Sequence, residues 1–495
     1  MRSVLNATGI ALEFPDGREL FGPLNFTLDR GTTALVGPNG IGKTCLARLL
    51  AGEIEPSRGG IQRIETLPLF PQRDVAPEIA VEGYLAHRYS WSIAGERLLS
   101  GIDRALPCSA LSGGQWKRVR LAGFLQEGYL ILDEPSNDLD REGRRAVLQF
   151  LRQHQGGVLL ISHDREFLQL CDRVLELSSL GLSRFGGGWE AYRQARERER
   201  TNAQAALELA KRERERVRAR RVEQRERQDK RGRHGKRSAE REGMSRIEVG
   251  ARKRQAEATS AKIDAATLER TQEAVSAAFR AFAQIKVDPV MYARLAGREI
   301  PAQRLVAQAS GFNVRFAEWL YPRDLTFCWK GCTRVAIKGG NGSGKSTLLK
   351  AILGQRLETR GELRRGQLST LYVDQECAQL DNEKSVLENV MATSQADYGE
   401  LRNELAKLLF QGDSVYRKVG QLSGGERLRA ALAQGLLSAE QPELMMLDEP
   451  TNNLDLLNVE FLEGLLRGFR GALLVISHDD TFLANCGIEN HLEIA

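Results

Sequence analysis

Residues 37–44 read Gly37-Pro-Asn39-Gly40-Ile-Gly42-Lys43-Thr44, and this stretch decides the fold. The apolar run 32–37 before it predicts a short buried strand, and 44–50 after it predicts a helix. Glycine, four residues, then Gly-Lys-Thr, set between strand and helix, is a phosphate-binding loop. The glycines let backbone N–H groups close around an anion at a helix N-terminus, whose dipole favours negative charge. Lys43 is placed for the outer phosphates, and the Thr44 hydroxyl suits a magnesium ligand.

Moving downstream, Gln72 lies 29 residues after Lys43. Leu111-Ser112-Gly113-Gly114-Gln115 opens a second helix, again offering N–H groups and a hydroxyl to an anion. An apolar strand ends in Asp133 and Glu134, placed to hold the magnesium shell and to polarise a water as general base. Ser136-Asn-Asp-Leu-Asp140 follows, and a further apolar strand over 157–162 ends at His163.

The whole series then recurs, which is the strongest signal in the chain. The second copy runs Gly339-Gly-Asn341-Gly342-Ser-Gly344-Lys345-Ser346, Gln375, Leu422-Ser423-Gly424-Gly425-Glu426, Asp448-Glu449, Thr451-Asn-Asn-Leu-Asp455 and His478. His163 follows Glu134 by 29 residues, and His478 follows Glu449 by the same 29. Phe14 and Phe316 each stand 23 residues before the first loop glycine of their copy. The shared offset favours both as aromatic platforms over plain core residues.

Composition bounds what lies between and around the copies. At 495 residues the chain needs more than one domain, and its 42% hydrophobic content supports globular cores. No run approaches the roughly 18 apolar residues of a membrane span, and no charged-then-apolar leader opens the chain. Seven scattered cysteines without a CxxC pair fit reduced thiols; Cys328 and Cys332 are expected as small packing residues. Residues 190–286 hold 27 Lys/Arg against 16 Asp/Glu, although the whole chain is only +6.

No proline separates Pro135 from Pro289, and glycines within 189–286 fall only at 232, 235, 243 and 250. The pattern predicts an antiparallel helical hairpin with a glycine-bearing tip. Its first helix carries supporting pairs, Glu208/Arg212, Glu223/Arg227 and Glu226/Lys230, and its second an apolar face of Val275, Phe279 and Phe282. The tip, 230–254, has 10 Lys/Arg to 3 Asp/Glu and no aromatic residue. Such a loop points to phosphate and shape recognition of structured RNA, with no base stacking. Lys230, Arg231, Arg233, Lys236, Arg237, Arg241, Arg246, Arg252, Lys253 and Arg254 are the candidate contacts.

These motifs resemble the Walker A, Q-loop, signature, Walker B, D-loop and H-switch elements of ATP-binding cassettes, complete and in order twice. The distances from Lys43 to Ser112 and from Lys345 to Ser423 are short for a membrane transporter's cassette, and each cassette is uninterrupted. Together with the long charged linker and the aromatic turn Phe185-Gly-Gly-Gly-Trp189-Glu-Ala-Tyr192, this resembles the ABC-F subfamily over essentially the whole chain.

The resemblance implies an α/β chain of two P-loop cassettes, 1–188 and 287–495, joined by a hairpin over 189–286. It implies ATP and Mg²⁺ as cofactors. Gln72 and Gln375 would sense metal and γ-phosphate, His163 and His478 would steady the transition state, and Phe14 and Phe316 would stack on adenine. Each signature, Ser112–Gly114 or Ser423–Gly425, would grip the γ-phosphate held by the other cassette's Lys345 or Lys43. It further implies a cytoplasmic, monomeric ATPase without a membrane domain. Its partner would be the ribosome, entered at the tRNA exit site, with the tip directed at peptidyl tRNA and the peptidyl-transferase centre. A housekeeping translation role and antibiotic protection are both open. A DNA-structure-binding ATPase and a transporter energy subunit are the alternatives.

Overall fold

The computed structural model describes residues 3–199 and 297–494, except 15, 16, 18, 73, 87, 89–92, 138, 317, 411 and 453. Between those stretches it describes only 201, 202, 205, 206, 208, 209, 212, 215, 216, 219, 222, 223, 226 and 273, all helical. The expected tip and its ten candidate cations lie outside the described residues. The chain divides into two compact units, Met1–Tyr192 with Val290–Ala495, and Arg193–Pro289.

In the first cassette the strands Leu69–Phe70, Leu130–Asp133, Val158–Ile161, Thr32–Val36, Arg173–Ser178 and Gly181–Gly186 form one sheet in that order. Only the last pairing is antiparallel. The three central strands are buried throughout, which is why they read as continuous apolar runs rather than alternating ones. A second sheet sets Ser3–Glu13 between Glu19–Asp29 and Arg58–Arg63. One core fills the space between the two sheets and takes in the loop helix Lys43–Ala51; another lies under the helices Val81–Leu85, Ile93–Leu99 and Gly113–Phe124.

The second cassette repeats the plan, with Thr370–Val373, Leu444–Asp448, Ala472–Ile476, Arg334–Gly339 and Asn490–Ile494 in an all-parallel sheet. A three-stranded antiparallel sheet has Leu305–Arg315 at its centre. In each cassette the phosphate loop and the two acidic residues emerge at the carboxyl ends of parallel strands flanking the strand that leads to the histidine, the end where open α/β sheets place their ligands.

The aromatic turn after the first cassette is seated in that cassette. Trp189 is buried in its core, and Phe185 and Trp189 each lie about 5 Å from the Tyr192 ring. Cys328 and Cys332 depart from expectation: both are exposed. They lie along and just beyond an edge strand whose residues alternate in burial, and Cys332 Sγ bonds with the Ile300 main chain at 3.4 Å. No helix among the described residues is long and apolar enough to cross a membrane.

Candidate functional site

Each loop helix starts on a left-handed glycine, Gly42 at φ 104° and Gly344 at φ 91°. A side chain at Gly344 would come within 2.4 Å of Leu320, and one at Gly42 within 2.9 Å of Leu20. Glycine is therefore required at both positions for conformation and for space. At Gly40 and Gly342 a side chain would meet nothing within 4 Å among the described residues, which leaves room there for phosphate oxygens.

Both loop lysines are buried and turn back onto their own loop. Lys43 Nζ donates to the Gly37 and Pro38 carbonyls at 2.6 and 3.0 Å, and Lys345 Nζ to those of Gly339 and Gly340 at 2.9 Å each. Burial lowers the pKa of both, against the pull of the neighbouring carboxylates. Thr44 Oγ1 donates to Asp133 Oδ2 at 2.7 Å; Ser346 bonds Asp448, whose other neighbour is the Tyr372 hydroxyl at 3.5 Å.

Glu134 and Glu449 are the acidic residues that follow. Both are left-handed, at φ 49° and 47°, a conformation costing a non-glycine residue about 1–2 kcal/mol. Main-chain bonds hold them there: Glu134 N donates to Ile161 O at 2.8 Å, and Glu449 N to Ile476 O at 3.0 Å. Those acceptors end the strands that deliver the histidines, so each glutamate is tied to its histidine through the sheet. His163 Nε2 lies 3.6 Å from Glu134 Oε1, and His478 Nε2 lies 3.3 Å from Glu449 Oε1 and from Lys345 Nζ. Burial and the adjacent Asp133 carboxylate push Glu134 up to about 8. Burial, Lys345 and Arg144 bring His478 down to about 4, and burial and Lys43 hold His163 well below its ordinary value. Among the described residues, neither His163 ring nitrogen has a hydrogen-bond partner.

The signature serines cap their helices. Ser112 Oγ accepts from Gln115 N and Ser423 Oγ from Glu426 N, each in a reciprocal capping box. A cavity of about 530 Å³ joins the cassettes at one of these caps. Ser112, Gly113 and Gly114 line it from the first cassette; Asn341, Gly342, Gly344, Lys345, Ser346, Gln375, Asp448, Glu449, His478 and Phe316 line it from the second. Glu134 and His163 also reach its wall, whereas Gln72, Phe14 and Ser423 do not line it. Phe316 is 63% exposed and Phe14 is half-buried.

Contacts between the cassettes continue on either side of this cavity. Asp455 caps the helix Leu456–Gly468 and also accepts from Asn39 N of the opposite phosphate loop at 3.2 Å. Arg165 makes a buried two-pronged pair with Glu463, at 2.6 and 3.3 Å. Arg141 approaches Asp480 at 3.7 Å on an exposed edge, where Lys338 also pairs with Asp480 at 2.6 Å. Two groups went unremarked in the sequence. Lys117, buried, donates to the Glu134 carbonyl at 2.7 Å, and Arg144 lines the cavity from the facing cassette. Lys117 stands five residues after the signature serine, where the second copy has Leu428. That mismatch between the repeats was the available signal.

A protein-family model described as ABC transporter matches residues 21–137 and 322–452. The chain belongs to the ABC transporter family of ATP-binding cassette proteins. Its cassettes bind ATP, it is an ATPase, and the likeness to the ABC-F proteins holds along its length. It is 29% identical to the ATP-binding protein Uup of Haemophilus influenzae over 92% of this chain and 74% of that one. It is 27% identical to the ribosome protection protein VmlR of Bacillus subtilis, covering 99% and 89%. With the tylosin resistance ATP-binding protein TlrC of Streptomyces fradiae the identity is 29%, covering 96% and 95%. Two solved structures share the fold. One is the archaeal ribosome recycling factor aABCE1 in complex with the ribosomal stalk protein aP1, with a TM-score of 0.61, 17% identity and coverage of 97% and 86%. The other is an RNase-L inhibitor, with a TM-score of 0.60, 18% identity and the same coverage.

Proposed function

We propose that this ATPase is a cytoplasmic, monomeric ribosome-binding protein that enters the tRNA exit site with ATP bound. Its basic tip, 230–254, acts on peptidyl tRNA and the peptidyl-transferase centre, and the protein leaves after hydrolysis. The supporting observation is the shared cavity, in which the Lys345 loop and the Ser112 signature meet across two cassettes of one chain. A site completed only by both cassettes couples nucleotide state to their closure. The linker, read as a hairpin over 189–286 between cassettes at 1–188 and 287–495, carries that closure to the RNA. Relatives named for ribosome protection and tylosin resistance support the choice of partner.

Within each site the roles follow from placement. Amides of the loops from Gly37 and Gly339, with Asn39 and Asn341, cradle the phosphates, and Lys43 and Lys345 exchange their carbonyl partners for phosphate oxygens. Phe316 and Phe14 stack on adenine. Thr44, Asp133 and Gln72, and Ser346, Asp448 and Gln375, present oxygens only, a donor set that fits Mg²⁺. When bound, that ion neutralises charge on the phosphates. Glu134 and Glu449 orient and deprotonate the attacking water, and His163 and His478, held neutral by burial, bond the γ-phosphate region. Ser112–Gly114 and Ser423–Gly425 close the sites through helix N-termini.

The test is Glu134→Gln combined with Glu449→Gln in the full chain. With ATP in low salt, the variant should cosediment with ribosomes, and replacing Arg252, Lys253 and Arg254 by Ala should weaken that without changing ATP affinity. A variant that binds ATP yet sediments free of ribosomes would sink the proposal. ATPase stimulation by DNA alone would favour the DNA-binding alternative, and RNA-independent recovery with membranes would favour the transporter one.

A further inference from the structure

The two cassettes do not hand each other the same chemistry. After each D-loop aspartate the chain runs into a helix, and its fourth residue is Arg144 in the first copy but Val459 in the second. Arg144 lines the Lys345 cavity from the facing cassette, beside Lys345, Glu449 and His478. Its side chain is 15% exposed, and it is held by Asp164 at 2.5 Å, with Glu166 at 4.0 Å. Asp164 is itself a cap, accepting from Glu166 N through its other oxygen. The guanidinium thus has one main carboxylate partner in a cavity whose remaining cationic wall is the phosphate loop.

A second difference points the same way. Ser423 Oγ donates to the Glu426 carboxylate at 2.9 Å, so its proton is committed. At Ser112 the same position holds neutral Gln115, and Ser112 Oγ only accepts among the described residues. The signature facing Lys345 therefore keeps its hydroxyl proton available and brings no carboxylate. Beside it stands an arginine.

We propose that Arg144 is an ATP-discriminating cation supplied in trans, leaving Asp164 to pair with the γ-phosphate of nucleotide held on Lys345. For nucleotide held on Lys43 the matching position is the apolar Val459. A planar guanidinium suits this exchange because it forms two parallel bonds to either a carboxylate or a phosphate. The residue thereby favours ATP over ADP at one site of the two. The proposal rests on reading this cavity as an ATP site.

The test uses the full chain carrying Lys43→Ala and Glu449→Gln, so that a single non-hydrolysing site is titrated with Mg²⁺–ATP and with Mg²⁺–ADP. Arg144→Ala should weaken ATP by about tenfold or more and ADP by less than about twofold, as expected for one lost charge-assisted phosphate contact. Arg144→Lys should recover part of the ATP preference. Asp164→Asn, which releases the arginine, should leave that preference intact or raise it.

If Arg144→Ala weakens ATP and ADP alike, or if Asp164→Asn reproduces its effect, the arginine acts through packing and the proposal is wrong. Lys345→Ala is the control for the underlying reading. If it leaves ATP binding unchanged, the cavity is not the ATP site; if it abolishes binding while Arg144→Ala changes nothing, only the arginine's role fails.

Discussion

The two cassettes share a plan and differ in how each supports its acidic pair. In the first, Lys117 reaches under the strained Glu134 and bonds its carbonyl. In the second the corresponding residue is Leu428, part of the apolar core, and the close neighbour is His478, whose Nε2 lies 3.3 Å from both Glu449 and Lys345 and can bond one of them at a time. One site is braced from beneath by a buried charge, the other from across the loop by an imidazole. A duplicated motif can thus keep its reacting groups while the groups holding them diverge.

The largest effect expected is on turnover. Glu134→Gln with Glu449→Gln should lower ATP hydrolysis about 10³-fold, within the usual range for removing a general base, and chelation of Mg²⁺ should do at least as much. Measured singly, equal effects would mean that the two ways of holding the acidic pair do not matter to turnover, and unequal effects that one site dominates it. Next comes the seam between cassettes. Glu463→Ala removes the two-pronged partner of Arg165 and leaves it with the half-exposed Glu460 at 3.9 Å, so it should destabilise the closed pair by up to about 3 kcal/mol, read as a fall in the thermal midpoint. Lys117→Leu, which copies the second cassette into the first, should cost about 1.5–3 kcal/mol of support at Glu134. Its signature is loss of hydrolysis in the Glu449→Gln background with little loss in the Glu134→Gln background. The smallest effect belongs to Arg141→Ala. Its exposed pairing with Asp480 is worth about 0–1 kcal/mol, and any change should vanish when salt is raised.

Much of this was legible in the sequence. Apolar runs located the buried parallel strands because both their faces are covered, and the loop, signature, acidic pair and histidine fell in the same order twice. The spacing of the repeat also paired Phe14 with Phe316, although only Phe316 lines the described cavity. What could not be read were contacts made across the seam. Nothing near Arg165 announces Glu463, nearly three hundred residues away, because the pairing depends on how two finished domains meet. Cys332 departs from the packing role expected of it for a related reason: its sulfur serves the Ile300 main chain at an exposed turn, and composition favours burial for any cysteine. Arg144 and Lys117 were visible only as mismatches between copies, and a mismatch does not say which side carries the chemistry.

The Arg165–Glu463 pair also bears on which domains can associate. Position 165 has Asp480 as its counterpart in the second cassette, and position 463 has Leu148 as its counterpart in the first. Two first cassettes brought together in this geometry would bury Arg165 against leucine, and two second cassettes would bury Glu463 against aspartate. Only unlike halves satisfy the charges, so the seam selects its partner by excluding self-pairing. Separately produced cassettes are therefore expected to form mixed pairs rather than like pairs, and neighbouring copies of the protein gain nothing by trading halves.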